Sequence, residues 1–239
     1  MRHDGRAAHE ARTCSIEPGF IGQALGSVLI ATGRTRVICT ASVEERPPPW
    51  LTGGGWVTAQ YAMLPGATSP RGSRDPGGRG KEIQRLIGRA LRAAVALPQL
   101  VGPAGPISIV VDCDVIEADG GTRTASITGG WVALALALAK LRAQGRLAHD
   151  PHLGAVAAVS VGLVGDPAAP MLDLAYVEDS TAVVDLNVVA LHERGLIEVQ
   201  GTGEHGCFSR AQLDALLDLA EAGLAQLFAA QARALEGAA

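Results

Sequence analysis

Twice along this chain a set of β-rich runs gives way to one long run of helical periodicity, and few folds accommodate that order. In the first half, 26–32 (GSVLIAT) and 35–43 (TRVICTASV) are joined by Gly33-Arg34, the signal of a hairpin. A short strand near 56–62 sits inside 46–80, a stretch punctuated by Pro47-Pro48-Pro49, Gly53-Gly54-Gly55 and Gly77-Gly78 and otherwise read as loop. From Lys81 to about Leu97, the residues Ile83, Leu86, Ile87, Ala90, Leu91 and Ala94 recur at helical spacing, and Pro98 ends the helix because it has no N–H to continue the ladder. A strand over 106–116, a turn over 117–121 and a helix from about Thr124 to Leu141 follow. In the second half, 155–164, 171–177, 182–191 and 195–201 read as strands. Ser209 and Gln212 form a capping box before the last helix, whose Leu213, Leu216, Leu217, Ala220, Leu224, Leu227 and Phe228 line one face. Antiparallel-looking strand sets, each followed by a helix, predict an α+β fold with mixed sheets and packed helices. No low-complexity linker divides the halves, so residues 1–239 read as a single domain, with a duplicated unit as one way to build it.

Only 3% of the residues are aromatic while 48% are hydrophobic, so the core must be built from Ala, Val, Leu and Ile. A net charge of -4 argues against a protein that coats nucleic acid non-specifically and leaves room for a local basic site. Cys14, Cys39, Cys113 and Cys207 show no C-x-x-C spacing, and Cys39 and Cys113 lie within apolar runs, so buried reduced thiols are expected. The N-terminal MRHDGR has no apolar segment behind it, and Ala-rich stretches such as 132–141 are expected to stop short of a membrane span. A soluble, cytoplasmic protein with no membrane partner is the expectation.

Charge concentrates in 71–92, where Arg71, Arg74, Arg79, Lys81, Arg85, Arg89 and Arg92 face only Asp75 and Glu82. Arg71, Arg74 and Arg79 are read as loop arginines flanked by Gly, Pro and Ser, able to reach a flexible polyanion. Arg85, Arg89 and Arg92 share a helical face, which is either a solvated surface supported by Glu82 or part of the same anion site.

The turn Gly120-Gly121-Thr122-Arg123-Thr124-Ala125-Ser126 lies between a strand and a helix. Glycines let N–H groups converge there, the helix start adds partial positive charge, the hydroxyls add donors and Arg123 adds a planar fork for phosphate oxygens. The competing reading is an ordinary strand–helix turn with a Thr cap. Further on, Asp185 and Asn187 fall on one side of a β-branched run, because side chains in a strand alternate. A carboxylate there is costly to bury unless it is paired or holds a metal. Asp179 shares that side if the strand begins early, and the two acids then suit Mg²⁺ or proton transfer. An edge-strand acid facing water is the alternative.

Gly201-Thr202-Gly203-Glu204-His205-Gly206 fits G-x-G-x-x-G, but no strand with a distal acid follows the next helix, so a dinucleotide fold is excluded. His149 and His152 lack matching ligands for a zinc site.

Longer stretches carry a resemblance: MRHDGR at 1–6, GSVLIATGRTRVICTASVEE at 26–45, GWVTAQYAMLP at 55–65 and GGRGKEIQRLIGRALRAAV at 77–95. They continue with DCDVIEADGGTRTASITGG at 112–130, YVEDSTAVVDLNVV at 176–189 and IEVQGTGE at 197–204. Together they resemble the ribonuclease PH family over essentially the whole chain. The resemblance implies a ribosomal-protein-S5-domain-2-like β-α-β fold, a homohexamer arranged as a trimer of dimers, and phosphorolytic 3′-to-5′ trimming of tRNA precursors and other RNA 3′ ends. It implies Arg79, Gly121, Thr122 and Arg123 as the phosphate-binding residues. Asp179 and Asp185 are implied as the catalytic, Mg²⁺-binding acids, inorganic phosphate as co-substrate, and arginines of the 66–80 loop, here Arg71 and Arg74, as the grip on the tRNA acceptor stem. Two departures stand out: the segment after MLP opens on Gly66 and is short, and Val183 stands where relatives tend to carry Glu.

Overall fold

The computed structural model describes residues 2–44, 48–75 and 77–238; Met1, Glu45 and Pro47 of the stretches quoted above lie outside the described residues. The chain runs through β1 (Cys14–Pro18), β2 (Gly26–Thr32), β3 (Thr35–Glu44) and β4 (Trp56–Met63) into α1 (Gly77–Ala93). A small hairpin of β5 (Val101–Gly102) and β6 (Gly105–Pro106) leads to β7 (Ser108–Glu117) and α2 (Thr122–Ala143). The second half is β8 (Val156–Val164), β9 (Ala169–Leu172), the single helical turn α3 (Tyr176–Asp179), β10 (Val184–Leu191), β11 (Gly195–Gly203) and α4 (Arg210–Glu236). One sheet has the order β1-β2-β3-β7-β4 and the other β11-β10-β8-β9. All pairings are antiparallel except β4 with β7, and α1 lies in the crossover that joins those parallel neighbours.

The expected α+β arrangement of mixed sheets and packed helices is what forms, and α2 is its centre. Ile127, Leu134 and Leu138 of α2 are buried with Val28, Val37 and Val111 of the first sheet and with Val156, Ala158 and Val189 of the second. Gly26 permits the close approach, since a Cβ there would sit 2.1 Å from the carbonyl oxygen of Ala133. On the far face of the second sheet, Val159, Val161, Val184, Leu186 and Val188 pack with Leu216, Ala220 and Leu224 of α4. Both faces of the second sheet are therefore covered, which explains why β8 (VAAVSVGLV) is buried at every residue and shows no polar alternation. Gln231 of α4, fully buried, donates to the carbonyls of Thr128 and Val156 and ties helix, helix and sheet together. Each fully buried Leu, Ile or Val contributes roughly 1.5–3 kcal/mol of transfer free energy.

Several boundaries differ from expectation. The helix placed at 81–97 is α1, Gly77–Ala93. Asp75 accepts a hydrogen bond from the N–H of Gly77 at 3.0 Å and so holds the earlier start. Its end comes before Pro98 because Val95 bridges to His152 and the N–H of Ala96 donates to Pro151, which turns the chain into a tertiary pairing. Arg79 is consequently a residue of the first helical turn and not of the loop. The short edge strand β1 carried no clear periodicity and was not expected. The run at 106–116 is divided into β6 and β7, and the run at 171–177 ends at Leu172. There Asp173 adopts φ 51°, and the Glu178 carboxylate accepts the N–H of Ala175 at 3.0 Å, which closes α3. The Ala-rich stretch, expected to stop short of a span, belongs to α2, a helix long and apolar enough to cross a membrane, and most of its apolar length is buried inside this fold. Cys39 and Cys113 are directly opposite across β3 and β7, buried and free, and the contact with Cys39, then burial, raises the Cys113 thiol.

Candidate active site

The turn between β7 and α2 takes its shape from two left-handed glycines, Gly120 at φ 75° and Gly121 at φ 70°. A Cβ on Gly120 would meet the Leu174 oxygen at 2.6 Å and the Tyr176 nitrogen at 2.8 Å, so only glycine lets the turn lie against the segment that leads to Asp179. Gly121 is the N-cap of α2 and supplies no side-chain acceptor, which leaves the first-turn N–H groups without carbonyl partners and the helix start partially positive.

The hydroxyls of this segment divide. Thr124 donates to the Gly121 carbonyl at 2.9 Å and Ser126 to the Thr122 carbonyl at 2.8 Å, so these two serve the helix and not a ligand, contrary to the expectation. Thr122 accepts from the Tyr61 hydroxyl at 3.0 Å and keeps its own proton free for a further acceptor. The Thr-cap alternative fails, since the cap is Gly121. Arg123 donates to Gln200 of β11 at 2.7 Å, and Gln200 in turn donates to Glu82 at 2.9 Å, so one edge of the Arg123 fork is held and the other is left for an anion.

Asp185 lies in β10, an interior strand paired with Gly162 and Thr202, which disposes of the edge-strand alternative. Asn187 stands on the same side, as the alternation requires, and its amide is 3.4 Å from the Asp185 carboxylate. Burial, then the negative charge of Asp179, pushes Asp185 up to about 6, against the pull of Arg123. Asp179 is not on that strand: it closes α3 and reaches the acid site from a separate segment. Burial raises its carboxyl while Arg79 and Arg123 oppose the rise and Glu204 adds to it. Arg79, Arg123, Asp179 and Asp185, drawn from four elements, are thus within electrostatic reach of one another. Two partly buried carboxylates, one raised by the charge of the other, are oxygen donors of the kind a hard divalent cation takes. Val183 packs on the apolar cluster under α4.

Arg71 and Arg74 are exposed on the 66–75 segment. Arg74 lines a cleft of about 200 Å³ with Tyr61, Asp75 and Arg79, so it is nearer the phosphate turn than the open-loop reading placed it, while Arg71 is turned outward with only a 3.3 Å contact to the Gly72 carbonyl. Of the helical arginines, Arg89 pairs with Glu198 at 2.9 Å, and Arg92 donates to the Val57 carbonyl and stacks over Trp56, so both are structural. Tyr61, Gln200 and Glu204 were not singled out from the sequence; each lies inside a stretch that carried the resemblance, which was the available signal.

The family model described as 3′ exoribonuclease family, domain 1, matches residues 10–140, and that for domain 2 matches residues 154–223. A ribonuclease PH of Cereibacter sphaeroides is 53% identical over 98% of this chain and 100% of its own length. In structure, the chain is similar to rice (Oryza sativa) Rrp46, with a TM-score of 0.74 at 19% identity, covering 98% of this chain and 97% of the other. It is also similar to a chain of the Archaeoglobus fulgidus exosome with RNA bound to the active site, with a TM-score of 0.77 at 24% identity, covering 92% and 88%.

Proposed function

Because the chain belongs to the 3′ exoribonuclease family, and its ribonuclease PH relative matches it end to end, we propose that it removes nucleotides from the 3′ ends of tRNA precursors by phosphorolysis. The observation that carries this reading is the meeting of two arginines and an open helix start with two carboxylates of raised pKa. A nucleophile that is itself an anion needs such a cradle, and water does not.

Inorganic phosphate binds between Arg79, Arg123, the Thr122 hydroxyl and the N–H groups that follow Gly121. One of its oxygens attacks the terminal phosphodiester in line; a P–O bond to phosphate forms as the bond to the 3′-oxygen breaks. The products are a nucleoside diphosphate and an RNA with a new 3′-hydroxyl, whose proton is the one given up by the attacking hydrogen phosphate. An anhydride replaces a diester, so the step is near balance and reversible. Arg123 and Arg79 stabilise charge gathering on the equatorial oxygens. Asp179 and Asp185 are the residues that would hold Mg²⁺, which supplies Lewis-acid polarisation of the scissile phosphate. Arg71 and Arg74 grip the polynucleotide upstream.

The same reading takes residues 1–239 as one working unit, soluble and cytoplasmic, assembled as a homohexamer from three dimers. The shared core around α2 supports the first point. The adjacent exposed pairs Phe20-Ile21 and Tyr176-Val177 offer apolar surface for a partner subunit to cover. Incubating a tailed tRNA with and without phosphate tests the reading. Nucleoside diphosphates that appear only with phosphate are expected; undiminished release of monophosphates without it would make the protein a hydrolase.

A further inference from the structure

Arg12 belongs to none of the segments assigned above, yet it is 8% exposed and every nitrogen of its guanidinium is engaged. Nε and one terminal nitrogen fork onto Asp173 at 2.9 and 2.6 Å, and the backbone N–H of Arg12 meets the same carboxylate at 2.8 Å. The second terminal nitrogen donates to the carbonyl of Asp119, and the first also lies 3.3 Å from the carbonyl of Leu174. One side chain therefore bonds both the phosphate turn and the segment that ends at Asp179, 107 and 161 residues away in sequence.

The consequence for the turn is directional. Across a planar trans peptide the N–H points opposite to the carbonyl. Arg12 draws the Asp119 carbonyl to one side, and the Thr35 hydroxyl donates to the Gly120 carbonyl at 2.6 Å. The N–H groups of Gly120 and Gly121 are thereby turned away from these two donors. On the other segment, Asp173 stands at φ 51°, in the left-handed region that among L-residues Asn and Asp adopt most readily, and its carboxylate is held there by the Arg12 fork. A buried ion pair adds little net stability, because desolvation offsets its attraction. What Arg12 supplies is geometry.

We propose that Arg12 is a positioning residue for phosphate: it sets the 119–121 turn and the Asp179 segment in one fixed relation and so determines how tightly the nucleophile is held. This rests on the phosphorolysis reading. Lys at position 12 keeps the charge on Asp173 but cannot fork onto the carboxylate while also holding the Asp119 carbonyl.

The test measures phosphate KM, kcat and tRNA affinity for the wild type, Arg12→Lys and Arg12→Ala, with circular dichroism to establish folding. Both variants should raise the phosphate KM by about 10- to 100-fold, the loss expected of a displaced nucleophile, and leave tRNA affinity unchanged. Arg12 also lines a cavity of about 310 Å³, so added guanidinium ion should enter it and lower the phosphate KM of Arg12→Ala. A folded Arg12→Lys or Arg12→Ala with wild-type phosphate KM overturns the assignment. Loss of fold in both variants overturns it too, since Arg12 would then be a stability residue. A wild type whose trimming ignores phosphate overturns the phosphorolysis reading itself, and the role of Arg12 with it.

Discussion

Asp185→Asn should abolish turnover and, in metal-free buffer at neutral pH, raise the stability of the fold. The carboxylate is held within an interior strand, where burial and the charge of Asp179 lift it from 3.8 to about 6. At about 1.4 kcal/mol per pH unit, that lift corresponds to ~3 kcal/mol of penalty for keeping Asp185 ionised above pH 6. Partial exposure of the side chain and the desolvation of the new amide reduce the expected gain to about 2 kcal/mol, or about 4–8 °C in melting temperature for a chain of this size. The sign follows from linkage. The folded state binds this proton more tightly than the unfolded state, so the penalty is complete above the folded pKa and disappears as pH falls toward the unfolded value. The gap between variant and wild type should therefore open as pH rises from 3.8 toward about 6 and stay constant above that. Urea unfolding with EDTA, at neutral pH and again near pH 4.5, measures it directly (roughly the two ends of the linkage window). Added Mg²⁺ should stabilise the wild type and not the variant. An Asp185→Asn protein that is less stable at neutral pH, or whose advantage does not change with pH, would refute the reasoning.

Arg123→Ala should raise the phosphate requirement and reduce the maximal rate, by roughly 2–4 kcal/mol of transition-state stabilisation, while tRNA affinity holds; steady-state kinetics at varied phosphate checks this. The double variant Arg71→Ala, Arg74→Ala should weaken tRNA binding and flatten its salt dependence by about 0.7 log units per lost contact, with trimming of a short oligonucleotide little affected. Should the oligonucleotide lose as much as tRNA, Arg74 works with Arg79 in their shared cleft and not on the distant polynucleotide. Gly120→Ala places a Cβ 2.6 Å from the Leu174 oxygen at a positive φ. It should cost about 2–3 kcal/mol in denaturant unfolding, combining left-handed strain with overpacking, and sharply reduce phosphate-dependent turnover. A stable, fully active Gly120→Ala would contradict the packing of the turn on the Asp179 segment.

Much of this protein is written in short-range pattern. The Ser209–Gln212 capping box forms as read, with Ser209 accepting from Gln212 at 3.2 Å, because its partners are one helical turn apart. The hairpin at Gly33-Arg34 and the shared side of Asp185 and Asn187 follow from local geometry in the same way. The glycine turn before α2 is legible in the same way, as two adjacent glycines at positive φ and a helix start, while its orientation is fixed by the distant Arg12 and Thr35. Tertiary structure decided the rest. Val95 leaves its helix to pair with His152, an exchange no propensity foretells. Asp179 would share the side of Asp185 only if the strand began early; it lies instead on a helical turn closed by Glu178, which Arg2 grips from 176 residues away. Tyr61 reaches Thr122, Gln200 holds Arg123, and Arg12 joins two segments that no periodicity relates. Caps, turns and alternation involve residues within a few positions, so their energies act before the chain is folded. The orientation of the arginines and the elevation of Asp185 depend on burial and on charges brought in from other elements, and those exist only once the two sheets have closed on α2.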